Sequence, residues 1–237
     1  MVIFLHGGFW RSAFDRTHTG PLAEALASAG FAVCTPEYRR TGQPGGGWPG
    51  TFDDVAAAVD ALPGLVAAAA GGRADLSRVV LAGHSAGGHL ALWAAGRGAP
   101  GALAGVVSLA GVCDLAACFR LGLGGDAAGA LMGGGPDLHP ERYRAADPVG
   151  LLPTGVRVRL VHGTADDRVP AELSVLYAER GRGAGDDVTC ALLDGFGHFE
   201  VIDPLSGAWS AVVAAFWEAA GEAGEPGPGG GGPGATR

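Results

Sequence analysis

Gly83-His84-Ser85-Ala86-Gly87 sets a serine between two glycines in a G-x-S-x-G arrangement. The apolar run Val79–Ala82 before it has the length of a buried strand, and Gly88–Gly96 after it, rich in alanine and leucine, predicts a helix. A serine on such a sharp strand-to-helix turn has its hydroxyl pushed out at the carboxyl edge of a sheet, and the flanking glycines relieve the crowding of the turn. A hydroxyl is a weak nucleophile until a base takes its proton, and the base works best when a carboxylate orients it. Candidates for both follow later in the chain. Asp166 lies in His162-Gly163-Thr164-Ala165-Asp166-Asp167-Arg168-Val169-Pro170, and His198 lies in Gly195-Phe196-Gly197-His198-Phe199. Asp167 and Asp194 stay open as alternative acids. Near the N-terminus, His6-Gly7-Gly8-Phe9-Trp10 supplies glycines that let backbone N–H groups approach a developing oxyanion. The expected donors are the N–H groups of Gly8, Phe9 and Ala86, with Gly7 setting the turn. The predicted chemistry is acyl transfer.

These residues need elements to hold them. Val2–Leu5, Phe31–Thr35, Val79–Ala82, Gly105–Leu109, Val156–Val161 and Val188–Leu193 read as strands. Pro21–Ala29, Phe52–Ala70, Gly88–Gly96, Ala171–Arg180 and Ala208–Ala220 read as helices, the second kinked or split at Pro63-Gly64. Alternation of this kind predicts an α/β fold with a mostly parallel sheet covered by helices on both faces. Ligands bind such sheets at the carboxyl ends of the strands, and each motif above falls just after a predicted strand. One domain is expected over residues 1–221. The segment from about 111 to 154 is too long for an ordinary connection and is expected to be a cap-like insertion. The Gly/Pro-rich stretch 222–237 has almost nothing to bury and is expected to be disordered, with no catalytic role.

Other residues compete for roles. Trp10, Phe119 and Met132 are candidates to line a substrate pocket, although core packing explains each equally well. His84 and His89 flank the serine at a spacing that matches no common metal pattern, which favours packing or local hydrogen bonding. His6 and His162 each precede a glycine at a strand end, where ring nitrogens tie loops together. No metal site and no cofactor are expected. Cys34, Cys113, Cys118 and Cys190 form no C-x-x-C pair and sit among apolar or small residues, as reduced, packed thiols do.

With 237 residues, the chain can bury a large core without disulfides or metals. A formal charge of -8 argues against a nucleic-acid partner. No apolar run approaches the roughly 18 residues that span a bilayer, and the opening Met1–Leu5 run is too short for a signal peptide. A cytoplasmic protein with no membrane or nucleic-acid partner is expected, with monomer and homodimer both open.

Taken together, the elbow pentapeptide, the ordered Asp166 and His198, and the HGG loop resemble the α/β-hydrolase superfamily, specifically its HGG-type esterase and lipase branch. The likeness runs to about Ala220. HGGFW (His6–Trp10) and GHFEVIDP (Gly197–Pro204) are similar to small bacterial esterases close to the kynurenine formamidases (arylformamidases). The resemblance implies Ser85 as nucleophile, Asp166 as triad acid and His198 as base. It implies hydrolysis of a small carboxylic ester without a cofactor, or alternatively of an N-formyl aryl amide. A non-catalytic binding member of the fold is the remote alternative, since such a protein would ordinarily have lost a triad residue. Members of the fold usually have further strands before the HGG strand, whereas Met1 opens that strand here. The expectation is a reduced sheet lacking the first strands, or a true start upstream.

Overall fold

Six short runs of mostly aliphatic residues form the central sheet: β1 (Val2–Leu5), β2 (Val33–Cys34), β3 (Val79–His84), β4 (Leu103–Leu109), β5 (Arg157–Gly163) and β6 (Val188–Leu193). The computed structural model describes residues 1–98 and 103–222, so the predicted tail lies outside the described residues apart from Glu222. All neighbouring strands pair in parallel, in the order β2-β1-β3-β4-β5-β6. Strands buried on both faces need no polar alternation, which is why β1 and β3 read as unbroken apolar runs. Successive side chains nevertheless serve opposite layers. Ile3, Leu5 and Leu81 join one core cluster, while Val2, Phe4, Val80 and Ala82 join the other.

The first layer is covered by α2 (Gly50–Ala70), α3 (Ala86–Gly96) and α7 (Glu172–Gly183), through residues such as Phe52, Leu90 and Tyr177. The second is covered by α1 (Gly20–Ser28) and α8 (Trp209–Ala219), through Leu22, Leu26, Val212 and Phe216. Of the kink or split expected at Pro63-Gly64, the split does not occur: α2 continues as one element through Pro63. A proline ring removes one N–H bond, and the turns on either side are enough to carry the helix past it.

The 111–154 segment folds into three short α-helices, α4 (Leu115–Arg120), α5 (Ala127–Met132) and α6 (Pro140–Ala146), followed by a 3-10 turn over Pro148–Leu151. Their apolar faces, including Leu115, Cys118, Leu131 and Tyr143, are buried in the first core layer. No helix among the described residues is long and apolar enough to cross a membrane.

Strand order determines where the site sits. β1 is flanked by β2 on one side and β3 on the other, so the chain leaves the sheet in opposite directions on the two sides of the β1–β3 pair. Such a switch point opens a crevice at the carboxyl ends of the two strands. The register pairs Leu5 with Gly83, which brings the residues just after β1 beside those just after β3.

Candidate active site

β3 ends at His84 and α3 starts at Ala86, leaving Ser85 alone in the turn. Its backbone is in the left-handed half of φ/ψ space, with φ 55° and ψ -118°, a costly conformation for a residue with a Cβ. Three backbone hydrogen bonds hold it there. Ser85 N–H donates to the Leu109 carbonyl (2.9 Å), and the Ser85 carbonyl accepts from the N–H groups of His89 and Val112 (both 3.2 Å). The motif glycines have a steric reason. A Cβ on Gly83 would stand 2.2 Å from the Gly87 carbonyl oxygen, and one on Gly87 would stand 2.0 Å from the Leu5 carbonyl oxygen. Only glycine at 87 lets the start of α3 press against the end of β1.

The loop after β1 lies against this turn. A Cβ on Gly7 would come within 3.2 Å of the Ser85 Cβ. Gly8, Phe9 and Trp10 all have positive φ, at 106°, 49° and 56°. Beneath them the buried His6 donates from Nδ1 to the Gly7 carbonyl (2.8 Å) and stacks on Tyr38, whose hydroxyl donates to the His6 carbonyl (2.7 Å). Among the described residues, the N–H groups of Gly8 and Phe9 donate to no backbone carbonyl. The N–H of Ala86, at the first position of α3, has no partner within its helix. All three remain available as donors.

Asp166 and His198 come together at the ends of β5 and β6. His198 Nδ1 lies 2.7 Å from Asp166 Oδ2, with the carboxylate fully buried. Oδ1 accepts from the N–H groups of Arg168 (2.8 Å) and Val169 (2.9 Å), and Oδ2 also accepts from His162 Nε2 (3.0 Å). Burial alone would raise the pKa of Asp166. The hydrogen bonds from His162, His198 and Val169 outweigh it and hold the carboxyl below the usual carboxylate range. The adjacent Asp167 is exposed and paired with Arg168, while Asp194 accepts from Thr164 at the surface. Neither hydrogen-bonds His198.

Ser85 and His198 open into one cavity of about 760 Å³. Phe9, Phe14, Phe199 and Ile202 supply apolar wall, and Arg11, His18, Arg168 and Asp203 supply polar groups. Three residues singled out for such a pocket lie elsewhere. Trp10 is wholly buried, edge-on to His89 at 5.1 Å; Met132 is wholly buried in the core; Phe119 packs beside Tyr143 and Gly135. Phe9 and Trp10 are consecutive, and the loop turns one toward the cavity and the other under it. The wall from Phe14 to Pro21 comes from the β1–β2 connection, which carries no motif of its own. Phe199, Ile202 and Pro204 were traceable as neighbours of His198 within GHFEVIDP. From the 111–154 segment, Gly124 reaches the cavity wall, and the Arg11 guanidinium bonds to its carbonyl and to that of Gly125 (3.0 Å).

The remaining histidines act as ties. His84 Nε2 donates to the His198 carbonyl (2.9 Å), and His89 Nε2 donates to the Ala146 carbonyl (3.0 Å). Burial pushes His84 down to about 3, helped by nearby His198, and pushes His89 down to about 4, so both are neutral near pH 7. Burial likewise pushes the Cys113 and Cys118 thiols up to about 12, leaving them protonated and poor nucleophiles.

Comparison with known proteins gives a consistent setting. The BD-FAE family model matches residues 1–180. No curated protein matches the sequence. Among solved structures, a truncated carbohydrate esterase from gut microbiota is similar over 93% of this chain and 86% of its own, at 21% identity and a TM-score of 0.77. A propionate-bound thermophilic esterase, Est2, from the planctomycete Thermogutta terrifontis is similar over 97% and 85%, at 24% identity and a TM-score of 0.71. Esterase B from Lactobacillus rhamnosis, inhibited by a tributyrin phosphonate, is similar over 92% and 73%, at 20% identity and a TM-score of 0.74. At these identities the likeness establishes the α/β-hydrolase fold.

Proposed function

Because the chain belongs to the BD-FAE family, we propose that it hydrolyses a carboxylic ester of a small substrate through an acyl-enzyme on Ser85. The observation that carries this reading is the buried Asp166–His198 pair, with His198 and a strained Ser85 opening into one cavity. Asp166 occupies Nδ1 of His198, which leaves Nε2 as the nitrogen to serve the serine. In the proposed mechanism Ser85 Oγ attacks the ester carbonyl carbon while His198 Nε2 takes the hydroxyl proton. The carbonyl oxygen becomes an oxyanion, received by the N–H groups of Gly8, Phe9 and Ala86. As the carbonyl re-forms, the C–O bond to the leaving group breaks, and His198 passes its proton to the departing alkoxide. Water then attacks the acyl-enzyme by the same route, releasing the acid and restoring Ser85. The electrostatic role of Asp166 is to hold the imidazole in the Nδ1–H tautomer and stabilise the imidazolium that forms.

The esterase names of the structural neighbours support this reading, as do three N–H groups free to meet an oxyanion. Within it, residues 1–221 form the hydrolase domain, and the 111–154 insertion bounds the site through Gly124. The same machinery would cleave an activated N-formyl aryl amide, the alternative that HGGFW and GHFEVIDP suggest. The test pairs a fluorophosphonate probe with parallel assays of short p-nitrophenyl esters and N-formylkynurenine. Labelling of Ser85 with preferential ester turnover is expected. Preferential turnover of the formyl amide would select the alternative, and absence of both labelling and turnover would overturn the reading in favour of a binding protein.

A further inference from the structure

The geometry points to His162 as a positioning residue that sets the proton affinity of the catalytic pair through a second hydrogen bond to Asp166 Oδ2, a role that rests on the triad reading above. Two imidazoles meet one carboxylate oxygen: His198 Nδ1 at 2.7 Å and His162 Nε2 at 3.0 Å. His162 Nε2 also faces the Val169 carbonyl at 2.9 Å. Carboxylate and carbonyl are both acceptors, so Nε2 must carry the proton that both share. The other ring nitrogen, Nδ1, lies 2.7 Å from the hydroxyl of Ser174, which is fully buried. In the neutral ring Nδ1 accepts, so Ser174 donates to it, and Ser174 Oγ in turn lies 3.6 Å from Cys113 Sγ. The result is a buried chain running Cys113, Ser174, His162, Asp166, His198, with each link inside the core and only His198 reaching the cavity.

Charge on Oδ2 is what favours the His198 imidazolium, and a second donor on that oxygen draws part of it away. His162 thus lowers the pull of Asp166 on the His198 proton. Ser174, by donating to the far nitrogen, makes His162 N–H the stronger donor. The groups facing His198 from other elements are His84 beneath it, and His18, Arg168 and Asp203 around the cavity. None of these reaches Asp166 Oδ2 through a hydrogen bond, so its share of charge is divided between the two imidazoles.

The test is the acid limb of kcat/KM against pH on a p-nitrophenyl ester, measured for wild type, His162→Leu, His162→Gln and Ser174→Ala, with Ser85→Ala alongside. His162→Leu removes the donor, and its acid limb should move up by roughly 0.5–1 pH unit with a lowered plateau. His162→Gln places an amide N–H near the former Nε2 and should bring the limb back toward wild type. Ser174→Ala should move it in the same direction as His162→Leu by a smaller amount. A limb unmoved in His162→Leu, or one that Gln fails to restore, overturns the role. If His162→Leu does not fold, an unmoved limb in Ser174→Ala overturns it. Loss of activity in Ser85→Ala beside unmoved limbs removes this role alone, whereas full activity in Ser85→Ala removes the triad reading and this role with it.

Discussion

His84, the residue immediately before Ser85, donates from Nε2 to the backbone carbonyl of His198 across 2.9 Å. The two rings lie 4.6 Å apart. One hydrogen bond thereby ties the end of β3 to the loop after β6, although two strands separate them in the sheet. It requires a proton on Nε2, and because burial keeps the ring neutral, the Nε2–H tautomer is the form that donates.

That neutrality makes stability depend on pH. The folded-state values of about 3 for His84 and about 4 for His89 lie below the ordinary histidine value of 6.5. As pH falls below 6.5, the unfolded chain takes up protons that the folded one refuses. The stabilisation from these two groups is therefore fully present above 6.5 and drains away as pH falls toward about 3–4. Melting temperature should drop from pH 7 to pH 4, and the drop should be shallower in His84→Gln, which keeps a donor but cannot titrate. An equally steep drop in that variant would rule out this origin.

Removal of the proposed nucleophile should be near-total. Ser85→Ala should lower kcat on p-nitrophenyl acetate by roughly 10⁴–10⁶ with an unchanged melting temperature. Asp166→Asn should cost about 10⁴, because an amide no longer selects the working tautomer of His198. Wild-type turnover in either variant would reassign the site.

The motif glycines should be intolerant for a reason separate from chemistry. In Gly87→Ala the new methyl would stand 2.0 Å from the Leu5 carbonyl oxygen, and backbone cannot yield as a flexible side chain would. A loss of about 1–3 kcal/mol in urea unfolding is expected, with reduced kcat as the β1 loop is pushed from Ser85. Gly64→Ala has open space around it and serves as the control.

Two aromatics should separate substrate recognition from packing. Phe199 lines the cavity and is 58% exposed, so Phe199→Ala should raise KM for an apolar ester by roughly 3–10-fold with little loss of stability. Trp10 is 0% exposed, and Trp10→Ala should cost about 3–5 kcal/mol by leaving a cavity in the core. The reverse pattern would place Trp10, not Phe199, against the substrate.

Local signals in the chain were enough to single out the proposed reacting groups. Ser85, Asp166 and His198 each follow an aliphatic run, and strand and turn chemistry are local enough to read from a few residues. The alternating pattern likewise implied a parallel sheet, and the six strands fall where apolar runs predict them, with Val33–Cys34 shorter than expected. Pro63 showed the limit of local reading, because the rest of α2 outweighs the single hydrogen bond the ring removes.

What the chain determined on its own was therefore the strand-to-helix turn at Ser85 and the layered architecture, since both follow from short-range backbone sterics and hydrophobic periodicity. Only the tertiary structure set Asp166 rather than Asp167 against His198, turned Phe9 toward the cavity and Trp10 beneath it, and brought His162 to Asp166 and His84 to His198. Those outcomes depend on which side of a packed layer a side chain faces and on contacts between residues far apart in sequence, as between His84 and His198. Burial and long-range hydrogen bonding settle such questions, and no periodicity within one segment encodes them.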